Sequence, residues 1–292
     1  MHAKTQYPLL PLWRSILFVP VQRQVFVEAA HTRGADAIQL DLEDSVPRDG
    51  KSEARALLPQ SIAHLSAQSV DIIVRVNREL SLCVEDMKAA VRPGVAAICL
   101  PKVMGSDHIR LVDEALTQLE GKAGLALGSI RLIALVETVD ALLNADSLAR
   151  ACSRLGAIAL GSEDLSLDGG FEPKPENLFD PCQRLVYAAR ASNIQVYGFP
   201  GTLAEYSNME YFRTQIQRAK SMGFDGAFCI HPKQVSVINE VYCPTPTDIE
   251  HAKKIVAAYQ QAQNKQLGAV EVDGRMVDLP VVERAKRLLS QI

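Results

Sequence analysis

Residues 131–137 read RLIALVE and residues 157–164 read AIALGSED, two short apolar runs that each lead into carboxylic acids. Uninterrupted apolar runs of this length are typical of parallel strands that are covered on both faces. The stretch between them is long enough for a helical crossover, so we interpret the runs as consecutive strands of one parallel sheet. Glu137 and Asp164 then follow the C-terminal ends of neighbouring strands, where their side chains converge.

Six further apolar runs give the chain a regular alternation of strand-like and helix-like segments. These runs are residues 15–20, 37–42, 72–77, 96–101, 194–197 and 226–230. Helix signals lie between them: Ser106 before an apolar periodic pattern, Asp180-Pro181 as a cap followed by proline, Met222-Gly223 as a helix end and Pro232 as a helix start. Eight such units predict an α/β fold, a (β/α)8 TIM barrel.

The alternative to a barrel is a doubly wound open sheet. That fold usually has a glycine-rich phosphate-binding turn after its first strand, whereas residues 18–22 read FVPVQ here. We therefore predict a barrel catalytic domain over residues 1–243. Residues 244–248 read PTPTD, a turn and helix start that opens a C-terminal helical arm over residues 244–292. This arm is too short to predict a core of its own, and we expect it to pack on the barrel or on a neighbouring subunit.

Composition narrows the class of protein. The chain has 292 residues and a formal net charge of -3, which gives no indication of a nucleic-acid partner. It has no apolar stretch near the roughly 20 residues that a membrane helix needs. The six cysteines are far apart, without a CxxC pair, so we expect reduced thiols in a cytoplasmic protein.

Charged side chains follow most of the predicted strands, at the end where barrel enzymes carry their chemistry. The polarity of strand ends in general explains part of this set, but acids balanced against Arg75 and Lys102 favour a binding site. The set comprises Asp41, Glu43 and Asp44 after the second strand, Arg75 and Asn77 after the third, Lys102 after the fourth, Glu137 after the fifth, Glu163 and Asp164 after the sixth, and His231 after the eighth.

The residue types point to a particular chemistry. Glu137 and Asp164 together suit a hard divalent cation, with capping of the following helices as the alternative interpretation. Such an ion leaves positions for a substrate carboxylate and a 2-oxo or hydroxyl oxygen, and Arg75 is predicted to bind that carboxylate bidentately. Glu43 and Asp44 are expected to hydrogen-bond water on the ion. This set suits the enolate or alkoxide formed when a carbon–carbon bond breaks.

Eight motifs in family order make the chain similar to the HpcH/HpaI aldolase–citrate lyase superfamily. They read RSILFVP (14–20), LDLED (40–44), VRVN (74–77), LPKV (100–103), ET (137–138), GSEDL (161–165), IHPKQV (230–235) and GRMVD (274–278). Within the superfamily the chain resembles the citrate lyase β-subunit-like branch, which includes malyl-CoA and citramalyl-CoA lyases. It departs from the family pattern at three positions, Val21, Gly198 and Ala227.

The resemblance implies Mg²⁺, with Mn²⁺ as the alternative, on Glu137 and Asp164, and coenzyme A as part of the substrate. It implies substrate binding by Arg14, Arg75 and Lys102. It also implies that Asp278, in the GRMVD motif, is the acid/base group at the thioester methyl carbon. A homotrimer or hexamer is implied, in which the arm of one subunit closes the active site of its neighbour.

We therefore predict a Mg²⁺-dependent carbon–carbon lyase that cleaves a 3-hydroxyacyl-CoA thioester to acetyl-CoA and a 2-oxo acid. Citramalyl-CoA is slightly favoured over malyl-CoA and citryl-CoA, and the carrier can be coenzyme A or an acyl-carrier protein. Three alternatives stay open. They are a thioesterase or synthase on the same thioesters, a class II aldolase on free 2-oxo acids, and a non-catalytic subunit of a citrate lyase complex.

Overall fold

The computed structural model describes residues 9–204, 207–264 and 266–290. The chain divides into two compact units, of which the first ends at Val241 and the second begins at Tyr242. None of the helices in these described ranges is both long and apolar enough to cross a membrane.

The first unit is built on one parallel sheet with the strand order β7-β6-β5-β4-β3-β2-β1-β8. A parallel bridge between Tyr197 and Gly226 joins its two ends, so the sheet closes on itself. The TIM-barrel prediction is confirmed, with strand ends within two residues of those expected. The strands are β1 (Ser15–Pro20), β2 (Ala37–Asp41), β3 (Asp71–Arg75), β4 (Val95–Leu100), β5 (Arg131–Val136), β6 (Leu155–Leu160), β7 (Gln195–Tyr197) and β8 (Ala227–Cys229).

Helices follow the strands and cover the outside of the barrel, so that strands such as β5 and β6 are buried along their whole length. The helices are α1 (Gln24–Ala30), α2 (Lys51–Ser66), α3 (Leu80–Ala90), α4 (Ser106–Ala123), α5 (Val139–Leu143), α6 (Ala145–Ala149), α7 (Ser162–Gly169), α8 (Pro175–Ser192), α9 (Met209–Met222) and α10 (Pro232–Tyr242).

The helix signals were correct with one exception. Helix α4 begins at Ser106, α9 ends before Gly223 with φ of 107°, and α10 begins at Pro232. The predicted helix start at Asp180-Pro181 is wrong, because α8 begins at Pro175 and Pro181 lies inside it. Pro175 occupies the first helical position, where no N–H bond is lost, and Pro181 is buried against the barrel side of the helix.

The barrel interior contains a row of aromatic rings together with aliphatic and small residues. Ring centroids are 6.4 Å apart for Trp13 and Tyr197, 6.0 Å for Tyr197 and Phe228, and 5.2 Å for Phe228 and Phe18. The small residues that make room for these rings are Ala37, Ala97, Ala157 and Ala159. The rings run from Trp13, before β1, towards the C-terminal ends of the strands, and their last members form part of a cavity there.

The second unit contains two helices, α11 (Pro246–Asn264) and α12 (Leu279–Leu289), and a hairpin of β9 (Val270–Val272) and β10 (Arg275–Val277). Asp273 and Gly274 turn the hairpin with φ of 52° and 75°, as a type I′ turn requires. Contrary to our expectation, this segment has an apolar cluster of its own: Ala252, Ile255, Tyr259, Val272, Val277, Val282 and Ala285. Its packing on the barrel or on a neighbouring subunit stays a prediction.

Candidate active site

A cavity of about 490 Å³ lies at the C-terminal ends of the barrel strands. Part of its lining is charged, with Asp41, Asp44, Arg75, Glu137, Glu163 and Asp164. The rest is largely apolar, with Phe18, Pro20, Leu135, Leu160, Phe199, Leu203, Phe228 and Ile230. Active sites of (β/α)8 barrels lie at this end of the strands, so the cavity is the candidate active site.

Asp41, the last residue of β2, organises the loop that follows it. Its carboxylate accepts hydrogen bonds from the backbone N–H of Glu43 at 2.9 Å and of Ser45 at 3.1 Å. The ammonium of Lys51 holds the same loop from the other side, donating to the carbonyls of Leu42 and Glu43 at 2.8 and 2.6 Å. These bonds fix the turn in which the acidic side chains of residues 43 and 44 reach back over the strand ends.

Arg75, the last residue of β3, lies opposite Asp41 in the parallel register. Its Nε donates to Asp41 Oδ1 at 2.7 Å and its Nη2 to Asp41 Oδ2 at 2.9 Å, a bidentate and buried pair. Burial alone raises the pKa of Asp41, but the hydrogen bonds and charge of Arg75 outweigh it and hold that pKa below its usual value.

The third guanidinium nitrogen of Arg75 faces the loop acids. Nη1 lies 3.1 Å from Glu43 Oε2 and 3.4 Å from Asp44 Oδ2, and the guanidinium carbon is 4.8 Å from the centre of the Phe18 ring. Asp41 therefore occupies the Nε–Nη2 edge of Arg75, and the Nη1 side faces Glu43 and Asp44. Binding of a substrate carboxylate by Arg75 stays a prediction.

Lys102 follows β4 and connects the acids of the site. Its φ of 46° places it in the left-handed region, which is uncommon for a residue with a Cβ. In this conformation its backbone N–H donates to Glu137 Oε2 at 2.5 Å, while its ammonium lies 2.8 Å from Glu43 Oε1, 3.2 Å from Asp44 Oδ1 and 3.5 Å from Asp164 Oδ1.

Glu137 and Asp164 follow the adjacent strands β5 and β6, as predicted, and both line the cavity. Glu137 is 3% exposed. Burial is the main cause that raises its pKa to about 7; the N–H of Lys102 opposes this rise and the charge of Asp164 adds to it. Gly161 leaves room for the side chain of Glu137, because a Cβ there would stand 2.2 Å from Glu137 Cγ.

The two acids fit a divalent cation that prefers oxygen ligands. Within the described ranges, no group of three or more His, Cys, Asp or Glu side chains could hold a metal ion. An ion on Glu137 and Asp164 would therefore take its remaining ligands from water or substrate, which is how proteins usually bind Mg²⁺. A buried carboxylate whose pKa is raised towards neutrality gains from a nearby cation.

The structure brings together six of the predicted site residues: Glu43, Asp44, Arg75, Lys102, Glu137 and Asp164. It does not bring Arg14 to them. Arg14 precedes β1, at the opposite end of the barrel, where it makes a bidentate ion pair with Asp36 at 2.8 and 2.7 Å. Strand β1 has six residues, so about 20 Å separate Arg14 from the cavity end at about 3.3 Å per residue.

Asp278 belongs to the second unit, where it is the N-cap of α12 and accepts the N–H of Val281 at 3.4 Å. This contact is what a capping aspartate makes in any protein. The catalytic role of Asp278 stays a prediction from the resemblance.

Two acids of the cavity belong to the strand-end set but were given no role of their own there. One is Asp41, whose position opposite Arg75 follows from the register between β2 and β3. The other is Glu163, which lines the cavity and accepts a hydrogen bond from the hydroxyl of Thr202. Burial, and next the charge of Asp164, raise the pKa of Glu163. The strand-end pattern included both acids, but their contacts with Arg75 and Thr202 depend on packing between segments remote in sequence.

Of the three departures from the family pattern, only Gly198 lines the cavity. Its φ is 139°, and a Cβ there would stand 3.0 Å from the Cβ of Leu160. Any side chain at this position would therefore need the backbone after β7 or the side chain of Leu160 to move. Val21 and Ala227 are fully buried.

Comparison with known proteins decides the family. The model of the HpcH/HpaI aldolase/citrate lyase family matches residues 14–232. The chain belongs to this family. The resemblance seen in its motifs is thereby confirmed, and as a member of this family the chain is an enzyme of the lyase type.

Relatives and structures agree with this assignment. The chain is 33% identical to citrate lyase subunit beta of Haemophilus influenzae over 288 residues, which is 97% of each chain. It is 32% identical over 282 residues to (3S)-malyl-CoA thioesterase of Cereibacter sphaeroides, covering 96% of this chain and 94% of that one. The fold is that of the protein CitE of Mycobacterium tuberculosis, solved with magnesium, acetoacetate and coenzyme A, with a TM-score of 0.76 at 24% identity over 95% of this chain and 97% of that one.

Proposed function

We propose that this enzyme is a Mg²⁺-dependent lyase that breaks a carbon–carbon bond of a 3-hydroxyacyl-CoA thioester and releases acetyl-CoA and a 2-oxo acid. The observation that carries the proposal is the pair Glu137 and Asp164, at the ends of adjacent strands, in one cavity with Arg75. The relatives named citrate lyase subunit beta and (3S)-malyl-CoA thioesterase support a substrate that combines a hydroxy acid with a thioester.

The residues of the cavity have two roles, stabilising negative charge and orienting the substrate. A divalent cation on Glu137 and Asp164 would act as a Lewis acid for the negative charge that develops on oxygen as the bond breaks. Arg75 offers its Nη1 side to the carboxylate of the hydroxy acid, and Asp41 holds the guanidinium at a fixed angle while it does so. Because Asp41 already holds the guanidinium in place, little rearrangement of Arg75 is needed when the reaction occurs.

The lining of the cavity favours a substrate with a single carboxylate on its acyl part. Among the described residues that line it, Arg75 is the one cation, against the acids Asp41, Asp44, Glu137, Glu163 and Asp164. A second acyl carboxylate, as in citryl-CoA, would face these acids, and the further cation beside them, the ammonium of Lys102, is already paired with Glu43, Asp44 and Asp164. The apolar part of the lining suits a methyl group instead. We therefore place citramalyl-CoA first, with pyruvate as the 2-oxo acid.

A proton must leave the substrate hydroxyl, and another must reach the carbon that becomes the methyl group of acetyl-CoA. We assign this second transfer to Asp278, on the strength of the GRMVD motif that it shares with the family. The same motif supports an assembly of three or six subunits in which the arm of one subunit serves the site of its neighbour.

A second candidate function is hydrolysis of the thioester, which the relative named (3S)-malyl-CoA thioesterase supports. In this case water attacks the thioester carbonyl, the carbon–sulfur bond breaks, and free coenzyme A leaves with the hydroxy acid. The two activities release different sulfur species, since a lyase keeps the thioester intact as acetyl-CoA.

The proposal is tested by incubating the purified protein with citramalyl-CoA, malyl-CoA and citryl-CoA, and with the free acids as controls. We expect a 2-oxo acid and acetyl-CoA, no free thiol, loss of activity in a chelator and its return with Mg²⁺ or Mn²⁺. Glu137→Ala is the matched inactive control. Free thiol without a 2-oxo acid would establish the thioesterase instead, and full activity in a chelator would refute the metal site.

A further inference from the structure

The ammonium of Lys102 is a cation placed among three acids, one of which, Asp164, is a metal ligand in the proposed function. It lies 2.8 Å from Glu43, 3.2 Å from Asp44 and 3.5 Å from Asp164. Glu43 and Asp44 each direct their second oxygen to Arg75, at 3.1 and 3.4 Å. These two acids are therefore shared between two cations, whereas Asp164 has the ammonium on one oxygen only in the ion pairs described.

The backbone of Lys102 makes this arrangement possible. At φ of 46° the residue directs both its N–H and its ammonium to the same cluster of acids. The residue is fixed between Pro101 and Val103, which are both buried. A non-glycine residue in the left-handed region costs on the order of 1 kcal/mol or more, so the surrounding structure must maintain it.

We propose that Lys102 is an internal counter-ion, whose ammonium pairs in the metal-free enzyme with Asp164, one of the two acids that would hold the divalent cation. Its N–H holds Glu137 in the position that the ion needs, and its ammonium neutralises Asp164 until the ion arrives. The ion and the ammonium then compete for Asp164. This inference rests on the proposed function, because it takes Glu137 and Asp164 as the metal ligands.

Removing the side chain of Lys102 should change metal affinity in opposite directions for a competing cation and for a purely structural residue. If Lys102 only holds the loops together, removing its side chain loosens the acids and weakens metal binding. If it is a competing cation, removing the charge leaves Asp164 open and strengthens metal binding. Even at the permittivity of bulk water, Coulomb's law gives about tenfold in affinity (about 1.4 kcal/mol) for a unit charge about 6 Å from a divalent ion.

The test is the affinity of the purified enzyme for Mn²⁺, measured without substrate by isothermal titration calorimetry and by the paramagnetic signal of the free ion. We expect Lys102→Met to bind Mn²⁺ about tenfold more tightly than wild type, and Lys102→Arg, which keeps the charge, to bind within about twofold of wild type. Should Lys102→Met not fold, Lys102→Gly serves, because glycine adopts positive φ freely and keeps the N–H that Glu137 accepts.

The outcomes separate the inference from the proposed function. If Lys102→Met and Lys102→Gly bind Mn²⁺ as tightly as wild type or more weakly, Lys102 is not a competing counter-ion, while the metal site itself stands. Tighter binding by Lys102→Arg as well would also overturn it, because that variant retains the charge. Absence of Mn²⁺ binding in wild type, with Glu137→Ala unchanged from it, refutes the metal site itself.

Discussion

Replacing Glu137 with glutamine should stabilise the metal-free enzyme at alkaline pH. The pKa of Glu137 is raised from 4.5 to about 7, chiefly by burial. At about 1.4 kcal/mol per pKa unit, this rise means that ionising Glu137 lowers the free energy of unfolding by about 3 kcal/mol. Glutamine has nearly the same shape, retains an acceptor for the N–H of Lys102 at 2.5 Å, and carries no charge.

The pH dependence follows from which state binds more protons. Between the unfolded value of 4.5 and the folded value of about 7 the folded protein holds the proton more tightly, so the contribution of Glu137 is present at low pH and is lost as pH rises through about 7. The glutamine variant escapes this loss. After about 1 kcal/mol is subtracted for imperfect hydrogen bonding of the new amide, we expect no gain in stability at pH 5 and a gain of about 2 kcal/mol at pH 8.

The assay is urea denaturation of wild type and variant in EDTA at these two pH values, and again with saturating Mg²⁺. Glu163→Gln is the matched control, since it removes a neighbouring but exposed acid and should change stability by less than about 0.5 kcal/mol. With Mg²⁺ the order should reverse, because the ion stabilises wild type and has lost a ligand in Glu137→Gln. A variant no more stable than wild type in EDTA at pH 8, with no gain relative to pH 5, would refute the reasoning.

Three further predictions concern the other site residues. Arg75→Lys should lower kcat/KM in steady-state assays by the equivalent of about 2–4 kcal/mol, because lysine cannot pair bidentately with Asp41 and bind a substrate carboxylate as well. A loss of stability with unchanged kinetics would contradict this. In metal-free urea denaturation, Lys102→Gly should be more stable than Lys102→Ala by about 1 kcal/mol, since both lose the ammonium and only alanine is strained at positive φ. Asp278→Ala should be inactive yet bind Mn²⁺ as wild type does, and mixing it with Glu137→Ala under subunit exchange should restore part of the activity. Mixed oligomers that form and stay inactive would exclude action across subunits.

The barrel could be predicted from the sequence because its signals are local and repeated. Most strands are apolar runs, because residues such as those of β5 and β6 are buried on both faces of the sheet. Parallel strands bring their C-terminal ends to one edge, so the convergence of Glu137 and Asp164 followed from the chain order alone. The helix start of α8 was mistaken because Pro175 and Pro181 both read as first-turn prolines, and only packing distinguishes a proline inside a helix.

What the sequence determined, then, was the fold, the family and the set of acids and bases at the strand ends, since these depend on residue type and spacing along one chain. The tertiary structure decided how those charges pair. Register between β2 and β3 gives the bidentate edge of Arg75 to Asp41, the length of β1 places Arg14 with Asp36 at the far end of the barrel, and a φ of 46° turns Lys102 towards four acids. These outcomes depend on distances of a few ångströms between segments remote in sequence, and neither composition nor periodicity encodes such distances.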